Sequence, residues 1–150
     1  MSLAEWQRTI DVDLTSVFLT TRRVLPAMIE RRDGRIINVS SVAAQNFKMV
    51  NGLVHYSAAK AGIIGFTRAL AHEVAGHGIT VNSIAPGTVL TDISASNGEA
   101  WRRRRNAEVP LGRAGLPEEI AMSAVLLASE AGGFYTGQVL APNGGESMGG

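Results

Sequence analysis

The sequence predicts an α/β fold whose core is a parallel β-sheet. Residues Gly34–Ser41 form a short apolar, β-branched run that ends in two hydroxyl side chains, and Ile79–Gly87 form a second run that Pro-Gly stops. Between them, about twenty residues from Tyr56 to Gly76 repeat apolar side chains at helical spacing. That stripe consists of Ile63, Phe66, Leu70 and Val74. A strand, a helix and a second strand in this order predict a βαβ unit with parallel strands and a right-handed crossover.

Further elements are expected on both sides of this unit. Ser2–Glu5 match a capping box, and the predicted helix runs from Ala4 to Glu30, with Pro26 expected to kink it near its end. Its apolar stripe comprises Trp6, Ile10, Leu14, Val17, Phe18, Val24 and Leu25. A last helix is predicted near Pro117–Ser129, because proline favours the first helical position. Its stripe of Ile120, Ala124, Val125 and Leu127 is expected to face the sheet, and Gly137–Ala141 predicts the third strand.

Composition narrows the functional classes. Of 150 residues, 45% are hydrophobic, which suits the core of one domain spanning residues 1–150. The chain has no cysteine, so neither a disulfide framework nor a thiolate metal site is expected. A net charge of +1 favours neither nucleic acid nor a membrane surface as a partner. The sequence has no signal peptide and no apolar run of about eighteen residues, so we expect a cytoplasmic protein.

Tyr56 and Lys60 are the strongest candidates for chemistry. Residues four apart on a helix share one face, one turn from each other. An ammonium about 6 Å from a phenol, at an effective dielectric constant of about 20, stabilises the phenolate by roughly 3 kcal/mol. That stabilisation would help the phenol to give or take a proton at neutral pH. The alternative is a tyrosine at a helix start beside a solvated lysine, and the spacing alone fits both.

Other candidates lie at the same place in the predicted fold. Ligands of open parallel sheets bind beyond the carboxyl ends of the strands. Ser41 and Pro86-Gly87 stand at two such ends, and Tyr56 opens the helix beside them. We therefore expect these groups to line one crevice.

Six segments taken together resemble the C-terminal part of a short-chain dehydrogenase/reductase. They are Trp6–Met28, Gly34–Ser41, Tyr56–Lys60, Asn82–Asp92, Gly112–Ala121 and Thr136–Gly145. The resemblance implies a truncated doubly wound, Rossmann-like sheet of three strands. It also implies that the N-terminal dinucleotide-binding part is absent, since no G-x-G-x-x-G spacing occurs in these 150 residues. Met1 is accordingly expected to be an internal methionine or a misplaced start.

The resemblance assigns catalytic roles to individual residues. Tyr56 would be the acid/base, Lys60 would favour its ionised form and bind the nicotinamide ribose, and Ser41 would polarise the substrate oxygen. Ser40 is the less favoured serine, because a strand-end hydroxyl can instead turn into the sheet.

The chain also departs from the family's pattern. Asp13, within Val12-Asp13-Leu14, stands where the family usually has a catalytic asparagine, and an ionised carboxylate cannot donate a hydrogen bond as an amide does. The exchange is mild if only the backbone carbonyl acts, but it weakens the site if the side-chain donor matters. A carboxylate there would also stabilise the lysine ammonium and reduce its effect on the tyrosine. Asn143 replaces a usual acidic residue before Gly-Gly, and the loop Gln45–Leu53 is slightly long, with an Asn-Gly turn expected inside it.

The cofactor would be NAD or NADP, and part of its site is implied after the second strand. Pro86, Gly87, Val89 and Thr91 match the family segment whose backbone holds the nicotinamide carboxamide. The Thr91 hydroxyl would lie near the cofactor's amide or phosphate. Taken alone, Pro-Gly after a strand indicates only a turn.

Three further features allow several interpretations. Arg102–Arg105 could form a solvated helix over the site, contact an anionic substrate or carrier, or bind nucleic acid, and the first is favoured. His72 and His77 resemble a zinc-binding helix motif but are five residues apart, about 140° around a helix, so no metal site is expected. His55 would lie at the pocket rim rather than serve as a second base.

We therefore expect an NAD(P)-dependent oxidoreductase that interconverts a carbonyl and a secondary alcohol, most similar to 3-oxoacyl thioester reductases. Its partners would be a small-molecule substrate and copies of itself, as a homodimer or homotetramer built on the two long helices. The alternative is a catalytically inactive fragment or interaction piece. Without the preceding strand, Gly34–Ser41 would become an open apolar edge, so the isolated chain is expected to bind cofactor poorly.

Overall fold

The computed structural model describes residues 1–46, 52–96 and 98–148. The helices within these ranges are α1 (Leu3–Ile10), α2 (Ser16–Arg31), α3 (Val54–Val74), α4 (Asp92–Ala95), α5 (Gly98–Glu108) and α6 (Pro117–Ala128). The strands are β1 (Gly34–Val39), β2 (Ile79–Ile84) and β3 (Val139–Leu140). Asn51, the first residue of the predicted Asn-Gly turn, lies outside the described residues. None of the described helices combines the length and the apolarity needed to cross a membrane.

The three strands form one parallel sheet in the order β1–β2–β3. β1 and β2 pair along their whole length, from Gly34 opposite Ile79 to Val39 opposite Ile84. This confirms the predicted α/β fold with a three-stranded parallel sheet, although the strands are shorter than predicted. β1 stops two residues before Ser41, because the Ser41 hydroxyl caps a 3₁₀ turn at Val42–Ala44.

One face of the sheet packs against α2 and α3. Ile36 and Val81 form an apolar cluster with Leu70 and Val74 of α3, and α2 covers its margin. The residues that α2 contributes are Leu25, Met28 and Ile29. Burying one such aliphatic side chain stabilises the fold by about 1.5–3 kcal/mol. The predicted stripe of α3 is confirmed, since three of its members are buried and Phe66 is partly buried.

The N-terminal helix differs from the continuous helix predicted for Ala4–Glu30. It consists of α1, five π-helical residues at Asp11–Thr15, and α2. A π-turn shifts the side chains that follow it around the axis, and Phe18 is accordingly 46% exposed instead of belonging to a buried stripe. Pro26 does not end the helix, because α2 continues through it to Arg31.

Helix α3 packs closely against this N-terminal helix. A Cβ atom on Gly62 would lie 2.8 Å from Leu14 Cδ2, closer than real Cβ contacts come. Leu14 belongs to the π-helical segment, which contacts α3 together with α1. Asp13, the residue before Leu14, also contacts α3, through Lys60.

Helix α6 packs against β1 and β2 and covers the sheet face that α2 and α3 leave open. Leu127 is fully buried there, as predicted. Val125 is 58% exposed, so the prediction that it faces the sheet is wrong. Residues two apart on a helix point about 200° apart, so Leu127 and Val125 cannot share one face.

Candidate active site

The carboxyl ends of β1 and β2 lie side by side, with Val39 opposite Ile84. Ser41 and Pro86 each lie two residues beyond their strand, and the amide of Val42 donates to the Pro86 carbonyl at 2.9 Å. The 3₁₀ turn after Ser41 packs against α3, and Tyr56 is the third residue of that helix. The structure thus brings the residues predicted after β1, after β2 and at the start of α3 to one end of the sheet.

Lys60 lies one helical turn after Tyr56, and its ammonium faces the phenol ring. Lys60 Nζ is 5.5 Å from the Tyr56 ring centroid. The same nitrogen donates to the Val39 carbonyl at 3.3 Å, at the last residue of β1. This hydrogen bond holds the ammonium at the end of the sheet, because it anchors a flexible side chain to the last residue of β1.

Asp13 forms an ion pair with Lys60. Its Oδ1 lies 3.1 Å from Lys60 Nζ, and the two side chains are 25% and 13% exposed. Asp13 reaches this position from the π-helical segment, whose neighbour Leu14 rests on Gly62 of α3. The ammonium therefore faces a carboxylate on one side and the phenol ring on the other.

The two serines after β1 differ in their contacts. The Ser40 hydroxyl is buried and donates to the Lys60 carbonyl at 2.7 Å, so Ser40 joins the strand end to α3. The Ser41 side chain is half-buried, and its oxygen accepts from the Ala43 amide at 3.1 Å. The proton of the Ser41 hydroxyl can still be donated, because that contact uses only its oxygen as an acceptor.

Backbone hydrogen bonds to Gly115 hold the loop after β2. The amide of Leu90 donates to the Gly115 carbonyl, and the amide of Gly115 donates to the Thr88 carbonyl, both at 2.9 Å. In such a parallel bridge the intervening residue turns its own backbone groups to the other side. The N–H and C=O of Val89 therefore face away from Gly115. Thr91 caps α4, since its hydroxyl oxygen accepts from the Ser94 amide at 3.3 Å.

Two side chains that the sequence did not single out also hold this loop. Glu146 is buried, and its Oε2 accepts from the amide of Thr88 at 2.8 Å. Arg105 donates from Nη2 to the Thr88 hydroxyl at 2.7 Å. Arg105 stood in the noted arginine run, but no sequence signal separated it from its neighbours, and nothing in the sequence marked Glu146.

The rest of the arginine run lies largely at the surface, as the favoured interpretation expected. Arg103 and Arg104 are 74% and 70% exposed and pair with Glu99 and Glu108 of the same helix. His55 is half-buried near the start of α3. In the part of the chain that the structure describes, no three histidine, cysteine, aspartate or glutamate side chains gather as metal ligands would.

Comparisons with known proteins cover nearly the whole chain. A family model described as enoyl-(acyl carrier protein) reductase matches residues 1–147. The 3-oxoacyl-[acyl-carrier-protein] reductase FabG of Aquifex aeolicus is 44% identical over 145 residues, which are 97% of this chain and 58% of that protein. The acetoacetyl-CoA reductase of Cupriavidus necator is 45% identical over 149 residues, which are 99% of this chain and 60% of that protein. The chain thus spans about three fifths of the length of these curated relatives.

A solved structure supports the same relationship. The 3-oxoacyl-[acyl-carrier protein] reductase of Brucella melitensis with bound NAD superposes with a TM-score of 0.85 at 38% sequence identity. The match covers 99% of this chain and 54% of that one. At this identity and coverage, the fold of this chain is that of the matching part of that structure.

Proposed function

Because the chain belongs to the short-chain dehydrogenase/reductase family, we propose that it carries the acid/base half of an NAD(P)-dependent oxidoreductase interconverting a carbonyl and a secondary alcohol. The observation that carries this proposal is the ammonium of Lys60, 5.5 Å from the Tyr56 ring at the carboxyl ends of β1 and β2. Ligands of open parallel sheets bind at that end. An i,i+4 pair of this kind is common in helices, and the family relationship is the reason to consider Tyr56 and Lys60 a candidate proton-transfer pair.

The residues beside this pair suit the nicotinamide end of the cofactor. The N–H and C=O of Val89 face away from the bridge to Gly115, which leaves one donor and one acceptor for a carboxamide. Lys60 has three N–H donors, and its contacts with Val39 and Asp13 occupy two of them. The third is available for a ribose hydroxyl. A bound reduced nicotinamide would supply the hydride.

The chain's own residues would manage the proton and the substrate oxygen. In the reductive direction the carbonyl carbon gains a hydride while Tyr56 Oη donates its proton to the carbonyl oxygen, giving the alcohol and a phenolate. Lys60 stabilises that phenolate by charge, and solvent then returns the proton. Ser41 Oγ donates a hydrogen bond to the same substrate oxygen. In the oxidative direction each of these transfers is reversed.

The substrate class follows from the relatives, and we infer a 3-oxoacyl thioester. One relative is described as a 3-oxoacyl-[acyl-carrier-protein] reductase and another as an acetoacetyl-CoA reductase. Both names describe a ketone one carbon removed from a thioester. Acetoacetyl-CoA is therefore the first substrate to test.

One observation favours a second candidate, a catalytically inactive piece that needs a partner polypeptide. Within the described ranges β1 pairs on one side only, with β2. Val39 at its end is 56% exposed, and a groove of about 300 Å³ lies between β1 and residues such as Val17, Val24 and Met28 of α2. Parallel strands are usually covered, so this edge is expected to bind another strand before the site can work.

The experiment compares two proteins. The first is the 150-residue chain, and the second is a chimera in which residues 1–147 replace the matching segment of the Aquifex aeolicus relative. The proposal predicts NADPH- or NADH-dependent reduction of acetoacetyl-CoA by the chimera, lost in its Tyr56→Phe variant. An inactive, well-folded chimera would refute the enzymatic function. Micromolar cofactor binding by the 150-residue chain alone would instead refute the need for a partner strand.

A further inference from the structure

Three separate parts of the chain meet at Thr88. Its amide donates to Oε2 of Glu146, in the segment after β3, at 2.8 Å. Its hydroxyl accepts from Nη2 of Arg105, on α5, at 2.7 Å. Thr88 itself belongs to the loop after β2, so two charged side chains from different segments of the chain hold one residue.

Glu146 is buried beside the loop after β2. The residue is 6% exposed, and the Asn46 side chain donates to its backbone carbonyl, which fixes the segment against the loop after β1. A Cβ atom on Gly87 would lie 2.5 Å from Glu146 Oε2 and 2.8 Å from Asn143 Cα. The absence of a side chain at Gly87 therefore gives the carboxylate the space to reach the Thr88 amide.

Arg105 differs from its neighbours in the arginine run. Its side chain is 18% exposed, against 74% for Arg103, and its Nη1 also binds Glu108 Oε2 at 2.6 Å. The guanidinium thus has one partner on its own helix and one on the loop after β2. Charge-assisted hydrogen bonds of this kind are about twice as strong as neutral ones.

We propose that Arg105 and Glu146 are positioning residues that clamp Thr88, so that helix α5 and the loop Pro86–Thr91 open and close as one unit. Thr88 directly precedes Val89, whose N–H and C=O face away from Gly115. A change on α5 is therefore transmitted to the loop, and a change in the segment after β3 is transmitted to α5. The consequence for cofactor binding rests on the proposed function, whereas the mechanical coupling does not.

The coupling is tested by amide hydrogen exchange on the 150-residue chain. The Thr88 and Leu90 amides are both hydrogen-bonded, so they report opening of the loop. Arg105→Met should speed exchange at Leu90 about tenfold, the factor that corresponds to about 1.4 kcal/mol. The matched control is Arg103→Met, which removes an exposed arginine from the same helix and should leave Leu90 unchanged.

Coupling in the reverse direction, from the loop to α5, is tested by substitutions of Thr88 and Glu146. Thr88→Val keeps the amide bond to Glu146 but removes the acceptor of Arg105, so exchange in the last turns of α5 should rise. Glu146→Met should have the same effect on α5, and Glu146→Gln, which keeps an acceptor for the Thr88 amide, should restore slow exchange. Amides of β2 serve as the reference for global unfolding.

The exchange rates distinguish coupling between α5 and the loop from a purely local stabilisation of α5 by Arg105. Faster exchange in α5 alone after Arg105→Met, with Leu90 unchanged, would overturn the proposal. So would an unchanged α5 after Thr88→Val. If Glu146→Met unfolds the chain, Thr88→Val and Arg105→Met decide by the same criterion, since both sites lie outside the apolar core.

A kinetic readout in the chimera tests the functional consequence. Loss of the clamp should raise the Kd for NADPH or NADH about tenfold and change kcat at saturating cofactor less than threefold, because the loop must be ordered again before binding. An equal fall in kcat with unchanged Kd would contradict this positioning role. An inactive wild-type chimera would refute the proposed function instead, and the exchange data would still decide on the coupling.

Discussion

Replacing Asp13 with asparagine is expected to increase the activity of the site. Asp13 Oδ1 lies 3.1 Å from Lys60 Nζ, so the carboxylate opposes the field that the ammonium exerts on Tyr56. Asparagine keeps an oxygen that can accept from Lys60 and removes the negative charge. The change therefore isolates the electrostatic contribution of Asp13 with little change in shape.

The expected size follows from the two distances. A unit charge at Nζ, 5.5 Å from the Tyr56 ring centroid, contributes about 3 kcal/mol to a phenolate at an effective dielectric constant of about 20. Asp13 Oδ1 is at most about 9 Å from the same centroid, because 3.1 Å separates it from Nζ. Before screening by solvent it therefore cancels at least about 2 kcal/mol of that stabilisation. With both side chains partly exposed, screening leaves about 1 kcal/mol, or roughly a fivefold effect.

The assay is acetoacetyl-CoA reduction by the chimera at saturating NADPH or NADH. Asp13→Asn should raise kcat about fivefold. The matched control is Asp11→Asn, two residues earlier, whose carboxylate contacts Gln7 and Thr15 and not Lys60. A tenfold loss of kcat in Asp13→Asn, with Asp11→Asn unchanged, would refute the reasoning and would mean that the carboxylate itself assists the reaction.

Three other outcomes are expected. Tyr56→Phe in the chimera should lower kcat about 10²–10⁴-fold and leave the cofactor Kd within threefold, so more than a tenth of the activity remaining would contradict the acid/base role. Phe18 and Leu19 of α2 are 46% and 47% exposed, so light scattering should find dimers or tetramers, and Leu19→Glu should shift them towards monomers. Hydrogen bonds from Arg113 and the backbone lower the pKa of Glu119 to about 2 from its usual 4.5, so this carboxylate stabilises the fold above pH 4.5. Urea unfolding should show wild type losing stability between pH 4.5 and 2 more steeply than Glu119→Gln, and parallel curves would contradict the assignment.

The sheet and the central helix were predictable because their signals are local. The β-branched runs at β1 and β2 and the apolar stripe of α3 repeat at the periods of a strand and a helix, and burial follows those periods. The π-helical turn at Asp11–Thr15 was not predictable, because it leaves no change in the apolar pattern. The orientation of Val125 failed for a related reason, since the stripe placed it beside Leu127 when only one of the two can face the sheet.

In the candidate site, too, local contacts were predictable from the sequence and contacts between distant residues were not. The pairing of Tyr56 with Lys60 follows from a helical spacing of four residues, and the structure places the ammonium over the ring. The proximity of Asp13 to Lys60 followed from the family's segment order and not from any local pattern. The clamp on Thr88 joins residues that are 17 and 58 positions apart, and such contacts become visible only once the chain is folded.

Gly87 is constrained by its packing against Glu146 and Asn143 as well as by its predicted place in the cofactor site. As part of a Pro-Gly segment it was predicted to contribute to the cofactor site, yet a Cβ there would collide with Glu146 Oε2 and Asn143 before any ligand binds. Replacement by alanine would displace the carboxylate that holds the Thr88 amide, so the loop would move even in the absence of cofactor. Weaker cofactor binding in such a variant would therefore not assign a contact to Gly87. Asp13 and Tyr56 are better probes of the chemistry, because their side chains meet at Lys60 and each can be changed by a nearly isosteric substitution.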